Sequence, residues 1–125
     1  MQTIRVLAVD DNEINLFLVH HCLADESDYE VAVSSSGAQA LAMLNEDTRF
    51  DVLLLDWNMP EMSGYELLCA VRADSRFDDM RIMMLTVKSE MEDVRQALAA
   101  GAGEYLMKPF TKEMLLDKLC LLLLS

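Results

Sequence analysis

Short apolar runs alternate with segments of helical period along the whole chain. Each run is rich in aliphatic residues and too short for a helix, which is typical of a buried strand. Five runs are predicted as strands, at Ile4–Val9, Tyr29–Ser34, Asp51–Asp56, Arg81–Thr86 and Glu104–Met107. Strict alternation of strands and helices predicts one parallel sheet with helices on both faces and right-handed crossovers.

The segments between the strands have the apolar spacing of amphipathic helices. Helices are predicted at Glu13–Ala24, Ser36–Leu44, Tyr65–Arg72 and Ser89–Ala100, with a last helix after Thr111. In the first helix, four residues are expected to face the sheet: Ile14, Phe17, Leu18 and Cys22. Asn12 and Thr111 have the side chains of N-caps, and Ser89 with Glu92 has the form of a capping box.

Length, composition and charge narrow the class of protein. The 125 residues fit one domain, 1–125, and 53% hydrophobic against 26% charged residues indicates a globular chain. A net charge of −12 argues against nucleic acid or an anionic membrane as a direct partner.

The three cysteines, Cys22, Cys69 and Cys120, lack metal-ligand spacing and are expected to be small buried hydrophobes. Without a predicted signal peptide or membrane span, the expected location is the cytoplasm.

Polar side chains follow four of the predicted strands. Asp10 and Asp11 end the first strand, Asp56 the third, Thr86 the fourth and Lys108 the fifth. In open α/β folds the carboxyl ends of the strands share one edge, where ligands bind. Two carboxylates about 4 Å apart repel by roughly 4 kcal/mol at an effective dielectric of about 20. The corner therefore needs a raised pKa or a bound cation, and Mg²⁺ suits a site with few oxygen ligands.

The same residues form a set that can handle a phosphoryl group. One carboxylate would act as the nucleophile. Thr86 and Lys108 would donate hydrogen bonds to the phosphoryl oxygens, and the metal would neutralise the charge that develops during transfer.

At these positions the chain resembles the receiver domain of two-component response regulators, closest to the stand-alone chemotaxis-type (CheY-like) receivers. Four segments carry the resemblance, in order and along the whole chain: Val9–Glu13, Leu55–Gly64, Leu85–Thr86 and Gly101–Phe110. The resemblance implies a flavodoxin-like (βα)5 doubly wound α/β sandwich whose five-stranded parallel sheet has the order 2-1-3-4-5. It also implies a cis peptide bond before Pro109.

The resemblance also implies roles for the residues at the sheet edge. Asp56 would be the phospho-acceptor, taking the phosphoryl group from a histidine kinase. Asp11 and Asp56 would bind Mg²⁺ together with the backbone carbonyl of Asn58, while Asp10 would act through water. Lys108 would contact both the phosphoryl group and Asp56. Such a domain assists its own phosphorylation and dephosphorylation and is not an enzyme with a separate substrate.

A switch is the second consequence of the resemblance. Thr86 would move toward the phosphoryl group, and the Tyr105 ring would swing inward behind it. A downstream protein would read the change on a surface made by the Ser89–Ala100 helix, the fifth strand and the last helix.

Some positions depart from the family pattern or leave alternatives open. Val87 replaces a usually small residue and is expected to restrict access to the pocket, while Lys88 and Asn58 are expected to tune the phosphoryl lifetime. The Leu119–Leu124 segment is apolar all round, which suggests contact with a partner or a second copy, or a receiver cut from a longer regulator.

Three alternatives to chemotaxis motor control remain at this point. A phosphate sink or a phosphorelay intermediate would use the same chemistry. A magnesium-dependent aspartyl phosphohydrolase is disfavoured, because Asn58 stands where such an enzyme needs its general acid and the chain has no room for a covering insertion. A pseudo-receiver scaffold is disfavoured because no acid, threonine or lysine of the set is missing.

Overall fold

The computed structural model describes residues 3–47, 49–87 and 91–124. Five parallel strands form one sheet, as the sequence pattern predicted, and its order β2-β1-β3-β4-β5 is the one that the resemblance implied. Their bounds are β1 Ile4–Val9, β2 Tyr29–Ser34, β3 Val52–Asp56, β4 Arg81–Thr86 and β5 Glu104–Met107. This is the predicted flavodoxin-like order, and each strand lies within one residue of its predicted bounds.

Five α-helices connect or follow the strands in the described part of the chain. They are α1 Glu13–Ala24, α2 Gly37–Glu46, α3 Gly64–Arg72, α4 Met91–Ala100 and α5 Lys112–Leu124. The Asn12 side chain caps α1 as predicted, by accepting hydrogen bonds from the backbone N–H groups of Ile14 and Asn15. The capping box predicted from Ser89 begins outside the described residues.

The helices divide into two layers, each with its own core. Helices α1 and α5 cover one face of the sheet, where the innermost residues include Leu23 and Leu119. Helices α2, α3 and α4 cover the other face, where Leu44 and Leu68 are fully buried. Strand β3 is buried on both sides, as expected for the middle of a parallel sheet. Strands β1 and β3 therefore pack against both helix layers, which fixes the position of their carboxyl ends.

The predicted inner face of α1 is wrong. Ile14, Phe17 and Leu18 are 69%, 65% and 48% exposed, and Cys22 is half-buried. The buried residues are instead Leu16, Val19 and Leu23. Both sets have helical spacing, because α1 is apolar around most of its circumference, so periodicity alone does not select the stripe that meets the sheet.

The prediction that the three cysteines are buried is also wrong for two of them. Cys69 and Cys120 are exposed, since each lies beside the buried stripe of its helix rather than on it. In α5 the buried residues are Leu115, Leu119 and Leu122, while Leu124 is 80% exposed. Among the described residues, no helix is both long and apolar enough to cross a membrane.

Candidate functional site

Three aspartates meet at the carboxyl edge of the sheet. Strands β1 and β3 are neighbours, with Val9 paired to Leu55, so the residues that follow them lie side by side. One carboxylate oxygen each from Asp10, Asp11 and Asp56 falls within 4.8 Å of the others. Asp10 and Asp56 are buried and Asp11 is exposed. The acidic corner predicted from the strand ends is therefore present in the fold.

Lys108 bridges the two buried aspartates. Its Nζ atom lies 2.8 Å from Asp10 Oδ2 and 2.8 Å from Asp56 Oδ1. The Lys108 backbone N–H donates to the Thr86 carbonyl at 2.8 Å, and a cis peptide bond joins Lys108 to Pro109. The bond to Asp56 agrees with the resemblance, whereas the equally short bond to Asp10 was not anticipated.

Asp10 is held by a second hydrogen bond. Its Oδ1 atom accepts the Asn12 backbone N–H at 2.9 Å, at the point where the chain turns from β1 into α1. Both Asp10 oxygens are thus engaged within the protein. Asp11 is exposed, and Lys108 is bonded to only one of the two Asp56 oxygens.

The electrostatics of the corner leave an excess of negative charge. Burial raises the pKa of the Asp56 carboxyl, the nearby Asp10 and Asp11 charges add to this rise, and the hydrogen bond from Lys108 opposes it. Burial lowers the pKa of the Lys108 ammonium, but its hydrogen bonds to Asp10 and Asp56 outweigh burial and leave that pKa raised. One ammonium faces three carboxylates, a donor set of hard oxygens that fits Mg²⁺.

The other predicted site residues that the structure describes are Thr86, Tyr105, Asn58 and Val87. Thr86 ends β4 and is buried, and Tyr105 is half-buried in the edge strand β5. Asn58 is exposed in the loop after β3. Val87 is 63% exposed after β4, and Lys88 lies outside the described residues.

A cavity of about 290 Å³ adjoins the corner, between α1 and the segment that follows β5. Leu18, Val87 and Lys108 contribute to its wall. Lys108 is the residue that the cavity wall shares with the acidic corner, and none of the three aspartates lines the cavity. Val87 lines this cavity, and its expected effect on access to Asp56 stays a prediction.

Sequence reasoning missed the structural role of Gly64. Its N–H donates to the Trp57 carbonyl at 2.9 Å, which brings the start of α3 against the end of β3. A Cβ at this position would lie 2.0 Å from the Asp56 carbonyl oxygen. The available signal was a glycine at a helix start, three residues before Leu67 and four before Leu68. Glycine at such a position is one sign that two backbone segments approach each other closely. Trp57 stacks on Tyr65, with ring centroids 5.7 Å apart, in agreement with a packing role.

Comparisons with known proteins agree with this geometry. The model of the response regulator receiver domain matches residues 6–120. A chemotaxis protein CheY homolog of Campylobacter jejuni is 36% identical over 92% of this chain and 88% of its own length. The chemotaxis protein CheY of Pseudomonas aeruginosa is 36% identical, with 92% of each chain covered.

Solved structures give the same result. The chemotaxis protein CheY4 of Vibrio cholerae is 40% identical and superimposes with a TM-score of 0.90 over 96% of this chain and 98% of the other. This chain belongs to the response regulator receiver domain family, whose members are phospho-accepting switches of two-component signalling.

Proposed function

We propose that Asp56 is the residue that accepts the phosphoryl group, with a phosphorylated histidine kinase as the donor. The observation that carries the proposal is the 2.8 Å contact between Lys108 Nζ and Asp56 Oδ1 inside a corner of three carboxylates. Asp56 ends the central strand β3, and its second oxygen is not used by Lys108. Asp10 is also buried, but its second oxygen accepts the Asn12 N–H. The second oxygen of Asp56 is the nucleophile of the proposed transfer.

In the proposed transfer, one Asp56 oxygen attacks phosphorus, the new P–O bond forms and the P–N bond to the donor imidazole breaks. The electron pair of that bond leaves with the imidazole, which is a neutral leaving group once protonated. Lys108 stays beside the acceptor and offsets negative charge on the phosphoryl oxygens. The buried Thr86 at the end of β4 supplies a hydroxyl donor on the neighbouring strand.

Receiver domains bind Mg²⁺ at an acidic pocket, and the donor set here fits that ion. We assign the direct ligands to Asp11, Asp56 and the backbone carbonyl of Asn58. Asp10 would act through water, which is consistent with the engagement of both its oxygens by Lys108 and the Asn12 N–H. When bound, the ion supplies positive charge for the transferring phosphoryl group.

Phosphorylation adds about two negative charges and three acceptor oxygens at Asp56. Thr86 can then gain a charge-assisted hydrogen bond by a short movement, and the Tyr105 ring can move into the space behind it. Two packings that differ by a few kcal/mol are enough for a switch. The proposed readout surface comprises α4, β5 and α5, and its target in a chemotaxis pathway is suggested by the names of the relatives. Residues 1–125 would act as one domain.

Intrinsic fluorescence tests this function, because Trp57 is the only tryptophan and adjoins Asp56. Mg²⁺ is expected to change the emission, and beryllofluoride, an analogue of the phosphoryl group, is expected to change it again. Asp56→Asn should abolish the second response. A second response that persists in Asp56→Asn, or a donor-dependent mass gain at another residue, would overturn the assignment. Steady release of phosphate from an added phosphomonoester would favour the phosphohydrolase instead.

Access to the site is a second measurable property. Val87 is 63% exposed directly after Thr86. We place its branched side chain in the approach of a small phosphodonor to Asp56. We expect Val87→Ala to accelerate labelling by acetyl phosphate several-fold, as read by intact mass over time. Equal rates for the two proteins would show that Val87 does not restrict access. Asn58 and Lys88 remain the residues proposed to set the phosphoryl lifetime.

A further inference from the structure

Lys118 is in contact with the proposed switch residue Tyr105. It lies on α5, and its side chain extends to the outer edge of β5, the last strand of the sheet. The Lys118 Nζ atom lies 4.8 Å from the centroid of the Tyr105 ring. The same atom lies 2.9 Å from Glu104 Oε1. One ammonium is thus shared between an aromatic face and a carboxylate.

Glu104 contacts both Lys118 and the backbone of Tyr105. Its Oε1 atom accepts the Lys118 ammonium and also the backbone N–H of Tyr105, at 3.0 Å. The Lys118 and Glu104 side chains are 30% and 20% exposed, so the pair is partly shielded from water. A lysine held in this way has already lost much of its rotamer freedom, and its contact with the ring costs little further ordering.

We propose that Lys118 is a positioning residue that stabilises the half-buried Tyr105 ring position seen here and so opposes its inward movement. The inference rests on the proposed function, because it concerns the switch that Asp56 would operate. A ring that moves behind Thr86 leaves the ammonium, which remains tied to Glu104. The cation contact is therefore made in one state and not in the other, which is the condition for biasing an equilibrium. Partly exposed cation–π contacts correspond to a bias of about 2- to 5-fold.

The test is a beryllofluoride titration in saturating Mg²⁺, followed by Trp57 emission. Lys118→Met keeps the length of the side chain and removes the charge, and we expect it to lower the half-saturating concentration about 2- to 5-fold. Lys118→Arg keeps a cation over the ring and should stay close to the parent protein. NMR signals of labelled Tyr105 should show a larger inward population in Lys118→Met before any beryllofluoride is added.

A second background separates this role from a general charge effect. Loss of a positive charge would by itself weaken anion binding, which is the opposite sign. In Tyr105→Leu there is no ring to hold, so adding Lys118→Met should no longer lower the half-saturating concentration. An unchanged midpoint in Lys118→Met, or a lowered midpoint that persists in Tyr105→Leu, would overturn the inference. No beryllofluoride response in the parent protein would instead refute the proposed function, and the inference with it.

Discussion

Replacing Gly64 by alanine is expected to lower the free energy of unfolding by about 3 kcal/mol, at the upper end for overpacking. The new Cβ would lie 2.0 Å from the Asp56 carbonyl oxygen and 2.9 Å from its carbon, both of which are backbone atoms. Neither can rotate away, so β3 and α3 must move apart. Alanine gains only about 1 kcal/mol over glycine from helix propensity, which is too little to offset the clash. Urea unfolding, read by far-UV circular dichroism, measures the loss.

Gly37→Ala is the matched control for this prediction. Gly37 also begins a helix and is also buried, but the nearest atom to its added Cβ is the Met62 Sδ, at 2.7 Å. A thioether sulfur in a flexible side chain can rotate away, so we expect the urea midpoint of Gly37→Ala to change little. Equal destabilisation by the two substitutions would show that backbone contact with Asp56 is not the reason for glycine at position 64. In the folded fraction of Gly64→Ala, the displaced Asp56 should also weaken the beryllofluoride response.

Most of the fold was predictable because the sheet imposes a simple pattern on the sequence. A strand such as β3, buried on both faces, must be continuously apolar, and the first polar residue after it marks the sheet edge. Parallel pairing then brings the ends of β1 and β3 together whatever the details of packing. The meeting of Asp10, Asp11 and Asp56 follows from topology alone, and this is why the site could be located without a structure.

The features that were missed depend on rotation and contact rather than on topology. The face of α1 is one example, since Phe17 and Val19 are both apolar and only packing on the sheet shows that Val19 is the buried one. The bond from Lys108 to Asp10 is another, because a long side chain can reach either neighbouring carboxylate. The close approach of Gly64 to Asp56 requires the backbone path of the loop between them. No periodicity in the sequence encodes these three facts.

Removing the Lys108 ammonium is expected to produce a large loss of stability when no divalent ion is present. Lys108→Met leaves Asp10 and Asp56, with side chains 4% and 11% exposed, as neighbouring buried carboxylates without their shared cation. Breaking a buried ion pair from one side costs about 3–5 kcal/mol, since the remaining charge is left uncompensated. Chemical unfolding at neutral pH in the presence of a chelator measures the difference.

The pH dependence of this loss has a definite sign. Burial and the neighbouring aspartates already raise the pKa of Asp56 in the folded protein, and loss of Lys108 removes the hydrogen bond that opposes this rise. A folded-state pKa above the unfolded value, about 3.9 for aspartate, means that the folded variant binds the extra proton. The penalty is therefore small in acid, where the carboxyl is protonated in both states. It grows as the pH rises from the folded-state pKa of Asp56 in the parent protein to the higher folded-state pKa in the variant, and it is constant above that.

Mg²⁺ should restore part of the stability, and more in Lys108→Met than in the parent protein. A ligand that binds only the folded state stabilises it by about 2.7 kcal/mol at a hundred times its dissociation constant. In the variant no ammonium competes for the Asp56 oxygen, so the ion can neutralise the corner more fully. We expect the unfolding midpoint of Lys108→Met to rise steeply with Mg²⁺ and that of the parent to rise less.

Lys112→Met is the control that separates the buried pair from lysine replacement in general. Lys112 pairs with Glu26 at 3.2 Å, but the two side chains are 41% and 36% exposed, and an exposed pair is worth about 0.2–1 kcal/mol. This variant should lose little stability, and Mg²⁺ should not rescue it beyond the parent. If Lys108→Met and Lys112→Met unfold alike at pH 8 without Mg²⁺, the two aspartates do not depend on Lys108. Solvent would then relieve the charge repulsion in the corner, and the site would not require a cation.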